Sequence, residues 1–396
     1  MTKIIHTITK LRSCGSCHFL NKLIVIVIFS MLIINCSSPN LSSVELETYI
    51  KNNYLSPQEY VISKFLKYDY VFIGEQHRIK HDVNFIENLI PELYKNGIKN
   101  LAIEFGVASN QMQLDSLLSL KQWDKNFAYE IASKGFYITW GYKEYLDIIK
   151  QAWKLNQTLE EDQQKFRIIY LDSDYFSSKR GIARTGGIDR DSNMSKIFQE
   201  EVINKNEKAL VYTGIHHAFT RYNQPMYGYK KSDSIWLNSN RFGNLIHKKY
   251  PGHTFAIFLH APWQSKKRWS RKAVKSVNGV IDDCMANLNN IPVGFDVKET
   301  PFGELNSDNS LYSLEHPDFK LKDFCDGYIF IKPYSSFEKV SVADGFYSEN
   351  NLNKIKEYFK GIGISEEKVD KWNQETIEKI INDEGNFVIK NAKRLK

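Results

Sequence analysis

Cysteine is scarce in this 396-residue chain, and its five copies form no recognisable metal-binding framework. Cys14 and Cys17 have C-x-x-C spacing, but they lie in a basic and apolar leader that Cys36 follows directly. Cys284 and Cys325 are the two that remain, which is too few for a structural zinc site built on thiolates. In an oxidising compartment they form either one disulfide or two buried free thiols, and the sequence leaves both alternatives open.

The leader also lacks an apolar run long enough to cross a bilayer. Leu23–Ile34 has 12 residues, whereas a spanning helix needs about 20. It follows a basic start and precedes Cys36 and a stretch of Ser, Pro and Asn, a pattern typical of a bacterial lipoprotein signal. We therefore expect residues 1–36 to be a signal with Cys36 as the lipidated residue, and residues 37–60 to be a tether. An uncleaved N-terminal anchor is the alternative. Either one places the globular part in the cell envelope, and the lipid points to the outer membrane.

A strong excess of one charge is missing as well. Residues 1–35 carry four cations and no acid, so the net charge of +7 for the whole chain becomes +3 for the rest. Such a weak excess does not favour nucleic acid as a partner. The basic run Lys266–Lys272 is interpreted as a solvated loop, with an anionic lipid surface as the alternative.

What the chain does have is apolar patterning, since 42% of its residues are hydrophobic. Short apolar runs predict strands covered on both faces, and amphipathic helical patterns lie between them. This alternation predicts an α/β fold, with helices on both sides of a mostly parallel central sheet. We assign residues 61–340 to this domain and residues 341–396 to a C-terminal helical extension. The predicted strands are Tyr70–Gly74, Leu101–Phe105, Phe166–Leu171, Ala209–Gly214, Thr254–His260, Ile291–Val297 and Gly327–Pro333.

Ionisable side chains stand where the first four predicted strands end. These side chains are Glu75, His77, Glu104, Asp172, Asp174, His216 and His217. Because the carboxyl ends of parallel strands meet at one edge, which is where ligands bind in such sheets, we expect a functional site there. His81 comes one helical turn after His77, and we expect it at the rim of that site.

Two G-x-x-H motifs, GEQH at 74–77 and GIHH at 214–217, stand on either side of Glu104 in the sequence. The first motif lies within the segment FIGEQHRIKHDVNFIENLIPEL. Two further segments lie between the two motifs: ITWGYKEYLDIIKQAWKLN, and RDSNMSKIF, which begins at Arg190. Together these segments resemble the superfamily of ChaN-like haem-binding lipoproteins, Tiki-type metalloproteases and erythromycin esterases. The likeness is greatest to the ChaN-like branch and covers Tyr70 to Phe219.

The resemblance to Tiki-type enzymes implies a hydrolase with a divalent metal (Mn, Zn or Co). Its ligands would be His77, Glu104 and His217, and Glu75 would be the general base or a fourth ligand. In the version without metal, a histidine activates water while Glu75 and Glu104 orient the rings. Arg190 would hold a substrate carboxylate or pair with the acids. Erythromycin esterases have three residues between the Gly and His of the first motif, where this chain has two, which argues against macrolide hydrolysis.

The ChaN-like branch implies an alternative function, a lipoprotein that binds haem or iron for uptake through an external His or Tyr. The aromatic segment Gly135–Tyr142 would then line a porphyrin face, and core packing is its competing interpretation. A third interpretation is a degenerate family member with a structural or interaction role. It is disfavoured because the motifs are intact. A hydrolase of unknown peptide or small-molecule substrate is favoured, because purely surface haem capture gives the strand-end Glu and His residues no task.

Overall fold

The computed structural model describes residues 43–173, 188–228, 234–268, 270 and 272–395. Cys36 and Asp174, both singled out by the sequence, lie outside these ranges, as does the leader. None of the helices in the described ranges is both long and apolar enough to cross a membrane.

Two helices, α1 Ser43–Asn52 and α2 Pro57–Lys64, precede the first strand. They occupy most of the segment that the sequence analysis assigns to a tether. Leu46 and Ile50 lie one turn apart on the same face of α1, and both are buried. Ser56 is the N-cap residue of helix α2. Its side chain accepts a hydrogen bond from the backbone N–H of Glu59, and the Glu59 side chain accepts one from the backbone N–H of Ser56. The folded part of the chain therefore includes these helices.

The predicted α/β fold is confirmed, and each of the seven predicted runs forms a strand of one sheet. The strands are β1 Tyr70–Glu75, β2 Asn100–Val107, β3 Arg167–Asp172, β4 Ala209–Gly214, β5 Gln224–Tyr227, β6 Ile235–Asn238, β7 Thr254–Leu259, β8 Trp263–Gln264, β9 Ala273–Val274, β10 Val293–Asp296 and β11 Gly327–Phe330. The other helices are α3 Lys80–Lys95, α4 Gln111–Ser119, α5 Lys125–Ala132, α6 Lys143–Gln157, α7 Ile188–Glu201, α8 Phe242–Lys249, α9 Val280–Asn287, α10 Leu321–Phe324, α11 Glu349–Gly361, α12 Glu366–Asp370 and α13 Gln374–Lys393.

The central sheet has the strand order β10-β11-β7-β1-β4-β2-β3, and within it β10 runs antiparallel to its neighbour β11. β5 pairs with β6, and β8 with β9, in two small separate sheets. Strand β1 lies in the middle, parallel to β4 on one side and to β7 on the other. The carboxyl ends of the six parallel strands therefore share one edge, with the end of β1 at its centre.

Helices cover both faces of β1, which explains why its sequence is a continuous apolar run. The Phe72 ring packs on one face against Phe198 of α7 and Phe242 of α8, with centroids 6.3 and 5.4 Å away. Val71 and Ile73 point to the opposite face and join the core that includes α3 and α6. With neither face in water, the strand has no position where a polar side chain is favoured until it ends.

The C-terminal helices pack close to the end of β1. Ile377 and Ile381 of α13 are buried in the main core. Arg78, just after the GEQH motif, pairs with Glu384 of α13. Its guanidinium also lies 4.4 Å from the centre of the Trp140 ring. The extension therefore packs against the loop that follows β1.

The two cysteines of the described region, Cys284 and Cys325, are buried free thiols and form no disulfide. Of the two alternatives left open by the sequence, the structure has the free thiols. Burial raises the pKa of the Cys284 thiol to about 12.

Candidate functional site

Glu75 and His77 form a carboxylate–imidazole pair at the end of β1. Nδ1 of His77 lies 2.8 Å from Oε1 of Glu75, and the Tyr145 hydroxyl donates to the same oxygen at 2.6 Å. The Tyr212 hydroxyl donates to Oε2. Since both oxygens of this fully enclosed carboxylate are occupied, Glu75 is placed to orient His77 and not to accept a proton from water.

Gly214, the first residue of the GIHH motif, makes room for this pair. A Cβ at this position would lie 2.6 Å from Cε1 and 2.8 Å from Nε2 of His77. The backbone N–H of Gly214 donates to Oε2 of Glu104 at 2.7 Å. The glycine therefore lets the His77 ring approach the end of β4, where the buried Glu104 is fixed.

A second carboxylate–imidazole pair joins His217 and Asp191. Nδ1 of His217 lies 2.6 Å from Oδ1 of Asp191. Asp191 also accepts hydrogen bonds from the backbone N–H of Phe242 at 2.7 Å and from Arg241 at 3.1 Å. Burial raises the pKa of Asp191, but His217 and Arg241 outweigh that effect, so the pKa lies below its usual value. Asp191 is not among the site residues predicted from the sequence, although it stands directly after Arg190 in the segment RDSNM.

Arg190 connects the two acids behind the pairs. Its Nη2 lies 2.8 Å from Oδ2 of Asp172 and 2.8 Å from Oε1 of Glu104, while Nη1 lies 3.1 Å from Nε2 of His217. The sequence left open whether Arg190 binds substrate or pairs with acids, and here it pairs with both acids. Because a guanidinium only donates, the contact between Arg190 and Nε2 of His217 is a hydrogen bond in the tautomer that has its proton on Nδ1, towards Asp191.

Glu104 is ionised despite its burial. Burial alone raises the pKa of its carboxyl group. The opposite effects of His217, Arg190, His77 and the Gly214 N–H are together larger, so its pKa lies well below the usual value. The site therefore holds a fixed negative charge at neutral pH.

Exposure divides the site into two layers. The side chains of His77 and Arg190 are 27% and 24% exposed. The carboxylates behind them are between 0% and 5% exposed; they are Glu75, Glu104, Asp172 and Asp191. A molecule that enters the crevice would meet the imidazole and the guanidinium first, and the buried acids would act through them.

The expected metal ligands His77, Glu104 and His217 do not fit a metal. Both oxygens of Glu104 already accept hydrogen bonds, and Nε2 of His217 accepts from Arg190. A divalent cation on these atoms would face the Arg190 guanidinium, and this repulsion opposes binding. Within the described ranges, no group of three or more His, Cys, Asp or Glu residues has a geometry that could hold a metal.

Two of the sequence-predicted histidines lie apart from these pairs. His81 is not at the rim, because it is buried and its ring packs on Phe337, with centroids 4.6 Å apart. Its helix, α3, turns it into the protein. His216 lies 3.1 Å from the Tyr312 hydroxyl and stacks on Phe219. Burial lowers the pKa of His216 to about 3.

The aromatic segment Gly135–Tyr142 does not form an exposed porphyrin face. Tyr137, Trp140 and Tyr142 are all buried, which agrees with its competing interpretation as core. Tyr137 instead enters the site, with its hydroxyl 2.7 Å from Oδ2 of Asp172. The chain has 22 tyrosines, and no local pattern in the sequence selects this one or the two that bind Glu75.

No protein-family model and no curated protein matches the chain. Fourteen solved chains match it. A succinoglycan biosynthesis protein is 10% identical with a TM-score of 0.51, over 76% of this chain and all of that one. An erythromycin esterase, EreC, is 10% identical with a TM-score of 0.46, over 69% of this chain and 93% of that one. ChaN of Campylobacter jejuni, described as binding haem cofacially, is 16% identical with a TM-score of 0.34, over 50% of this chain and 84% of that one.

These neighbours include two of the branches that the sequence resembles. At such low identity, the likeness to the succinoglycan biosynthesis protein, whose TM-score is above 0.5, shows the fold alone. The other two likenesses have TM-scores under 0.5 and carry no argument.

Proposed function

We propose that this protein hydrolyses esters without a metal, with His77 as the general base. The observation that supports this most is the pairing of a solvent-accessible imidazole with a fully buried carboxylate at the end of the central strand. In such a pair the carboxylate fixes the tautomer and stabilises the imidazolium that forms during the reaction.

The reaction follows from the positions of the two accessible groups. Nε2 of His77 takes a proton from water as the water oxygen attacks the ester carbonyl carbon. The negative charge that develops on the carbonyl oxygen is stabilised by the Arg190 guanidinium. When the tetrahedral intermediate collapses, the bond to the leaving oxygen breaks and His77 returns the proton to it. The products are a carboxylic acid and an alcohol.

The first experiment measures hydrolysis of p-nitrophenyl butyrate by the purified full chain after treatment with EDTA. His77→Ala is expected to lower kcat/KM by about a thousandfold, since general-base catalysis contributes about 10²–10⁴. His253→Ala is the matched control. His253 also pairs with a carboxylate, with Nδ1 2.6 Å from Oδ2 of Asp69, but it lies at the amino end of the strands and is 54% exposed.

Two results would overturn this proposal. One is activity that EDTA removes and that Zn, Mn or Co restores, which would support the metal-dependent version. The other is equal activity of His77→Ala and the wild type. The haem alternative is tested on the same samples, because haem binding would give a saturable shift of the Soret band that His77→Ala need not change.

We also propose that Cys36 carries the lipid that holds the protein in the outer membrane. The support is the sequence pattern of an apolar run followed by a single cysteine. Cys36→Ala is expected to move the protein from the membrane fraction to the soluble fraction and to abolish labelling with radioactive palmitate. Unchanged labelling of the variant would rule out this residue as the lipid site.

A further inference from the structure

A pocket of about 290 Å³ lies at the same sheet edge as the site but on the other side of β1. Of the four buried acids of the site, Glu75 ends β1, and the other three come from β2, β3 and the start of α7. These three, and His217 after β4, are on the β4 side of β1. The pocket is lined by Pro262–Gln264, which follow β7, and by Phe387 and Val388 of α13. Gln76 lines it as well and stands between Glu75 and His77 in the chain. The pocket therefore begins one residue from the proposed base.

The lining of this pocket combines an apolar wall with a cation. Trp263, Phe387 and Val388 supply apolar surface, and the Phe387 side chain is 44% exposed. Lys272 supplies a positive charge, and the amides of Gln76 and Gln264 supply hydrogen-bonding groups. Among the described lining residues there is no carboxylate. An apolar wall and a cation suit a small group with a short hydrocarbon part and an acidic end.

We propose that this pocket binds the acyl part of an anionic ester, with its acidic end at Lys272 and its ester bond at His77. The inference rests on the proposed function, because it names the substrate class of the same site. It also assigns a role to the C-terminal helix α13, which supplies the apolar wall. A short acyl chain with a terminal carboxylate suits the lining of this pocket.

The test compares two esters that differ mainly in charge, mono-(p-nitrophenyl) glutarate and p-nitrophenyl pentanoate, at low salt. The wild type is expected to have the lower KM for the glutarate. Lys272→Gln is expected to raise that KM by up to about fivefold, with kcat and the KM of the pentanoate unchanged, since an ion pair near the surface contributes at most about a fivefold factor. Lys267→Gln removes the same charge from the same basic run at an exposed residue outside the pocket lining, and it should leave both esters unchanged within twofold.

The apolar wall is tested by Phe387→Ala. This variant is expected to raise the KM of both esters about fivefold, because both acyl chains lose the same contact. Leu66→Ala truncates an even more exposed apolar side chain, 90% exposed, and is the matched control. Equal KM values for Phe387→Ala and the wild type would overturn the assignment of the wall.

Failure of the pocket and failure of the proposed hydrolase are distinguishable. Hydrolysis of both esters that depends on His77 but shows no charge preference, or a preference that Lys272→Gln retains, overturns the pocket inference alone. If neither ester is hydrolysed, the proposed function fails, and monomethyl glutarate is titrated into the protein by calorimetry instead. Binding that is weakened by Lys272→Gln but not by Lys267→Gln would still support the pocket, whereas equal binding or none would overturn it.

Discussion

Two buried polar clusters adjoin the β1–α3 loop, and they treat charge in opposite ways. The His77 cluster comprises Glu75, His77, Glu104, Asp172, Arg190, Asp191 and His217. The His81 cluster comprises His81, Asp82, His260 and Asp282. In the first, each of the four carboxylates accepts a hydrogen bond from an imidazole or the Arg190 guanidinium. In the second, each of the four side chains has a buried polar atom without a hydrogen-bond partner among the described residues.

The His81 cluster has close approaches but few hydrogen bonds. Nε2 of His81 lies 3.5 Å from Oδ1 of Asp82, and Nε2 of His260 lies 3.3 Å from Oδ1 of Asp282. Burial, with a smaller effect of the Glu75 charge, raises the pKa of Asp82 well above its usual value. Burial, helped by Lys332 and His260, lowers the pKa of His81 to about 3. Desolvation therefore favours the neutral forms of His81 and Asp82.

The difference lies in the partners, since the carboxylates of both clusters are largely removed from water. Arg190 brings a permanent positive charge between Glu104 and Asp172, and this charge helps to lower the pKa of Glu104. Among the described residues no such cation pairs with Asp82, and the charge that adds to the effect of burial is that of another acid, Glu75. Burial by itself suppresses charge, so a buried ionised group marks a place where the fold has supplied a counter-charge.

The largest effect on this comparison is expected from Arg190→Gln. The change leaves Glu104 and Asp172 buried without their cation, which typically costs about 3–5 kcal/mol in the free energy of unfolding. Arg167→Gln is the matched control, because it breaks a pair with Glu201 at the other end of β3 whose partners are 23% and 32% exposed. That change should cost less than about 1 kcal/mol. Denaturant unfolding measures both, and equal costs would contradict the assignment of Arg190 as the required counter-charge.

An intermediate effect on the free energy of unfolding is expected when one buried acid in each cluster is replaced by its neutral amide. The sign of the effect should be opposite in the two clusters. Glu104→Gln should lower the free energy of unfolding at pH 7 by about 1–3 kcal/mol, because it removes charge-assisted hydrogen bonds. Asp82→Asn should raise it, because burial opposes ionisation of the wild-type carboxyl group.

The pH dependence of these two variants follows from the pKa directions. The pKa of Glu104 is lowered by folding, so its contribution is present above the unfolded value near 4.5 and is lost as the pH falls. The pKa of Asp82 is raised, so the wild type loses stability as the pH rises above the unfolded value near 3.8. For both variants, the difference from the wild type in the free energy of unfolding should therefore be smaller at pH 4 than at pH 7. Differences of the same sign at pH 7 would refute the contrast between the clusters.

The smallest expected effect is an absence of titration at His81. With a pKa of about 3, its imidazole should show constant NMR chemical shifts from pH 8 to pH 5 in the folded protein. The same residue should titrate near the usual value of 6.5 when the chain is unfolded in urea. Because the unfolded chain takes up this proton first, His81 should also lower stability as the pH falls from 6.5 towards 3. A midpoint near 6.5 in the folded state would show that His81 is solvated.

The sequence by itself determined the sheet and the residues at its carboxyl edge. Runs such as Tyr70–Gly74 have no polar interruption, and Glu75 and His77 stand where the run ends, so the local pattern carries this information. It also indicated Arg190 through the segment in which it stands.

Only the tertiary structure decided which of these residues work together. Glu75 is held by Tyr145 and Tyr212, which are 70 and 137 positions away in the chain, and no local pattern selects them among the tyrosines. Asp191 became part of the site because His217, Arg241 and Phe242 meet it in the fold. His81 became buried because Phe337 covers it. Strand and helix patterns are local, whereas desolvation and counter-charge depend on which distant side chains the packing brings together.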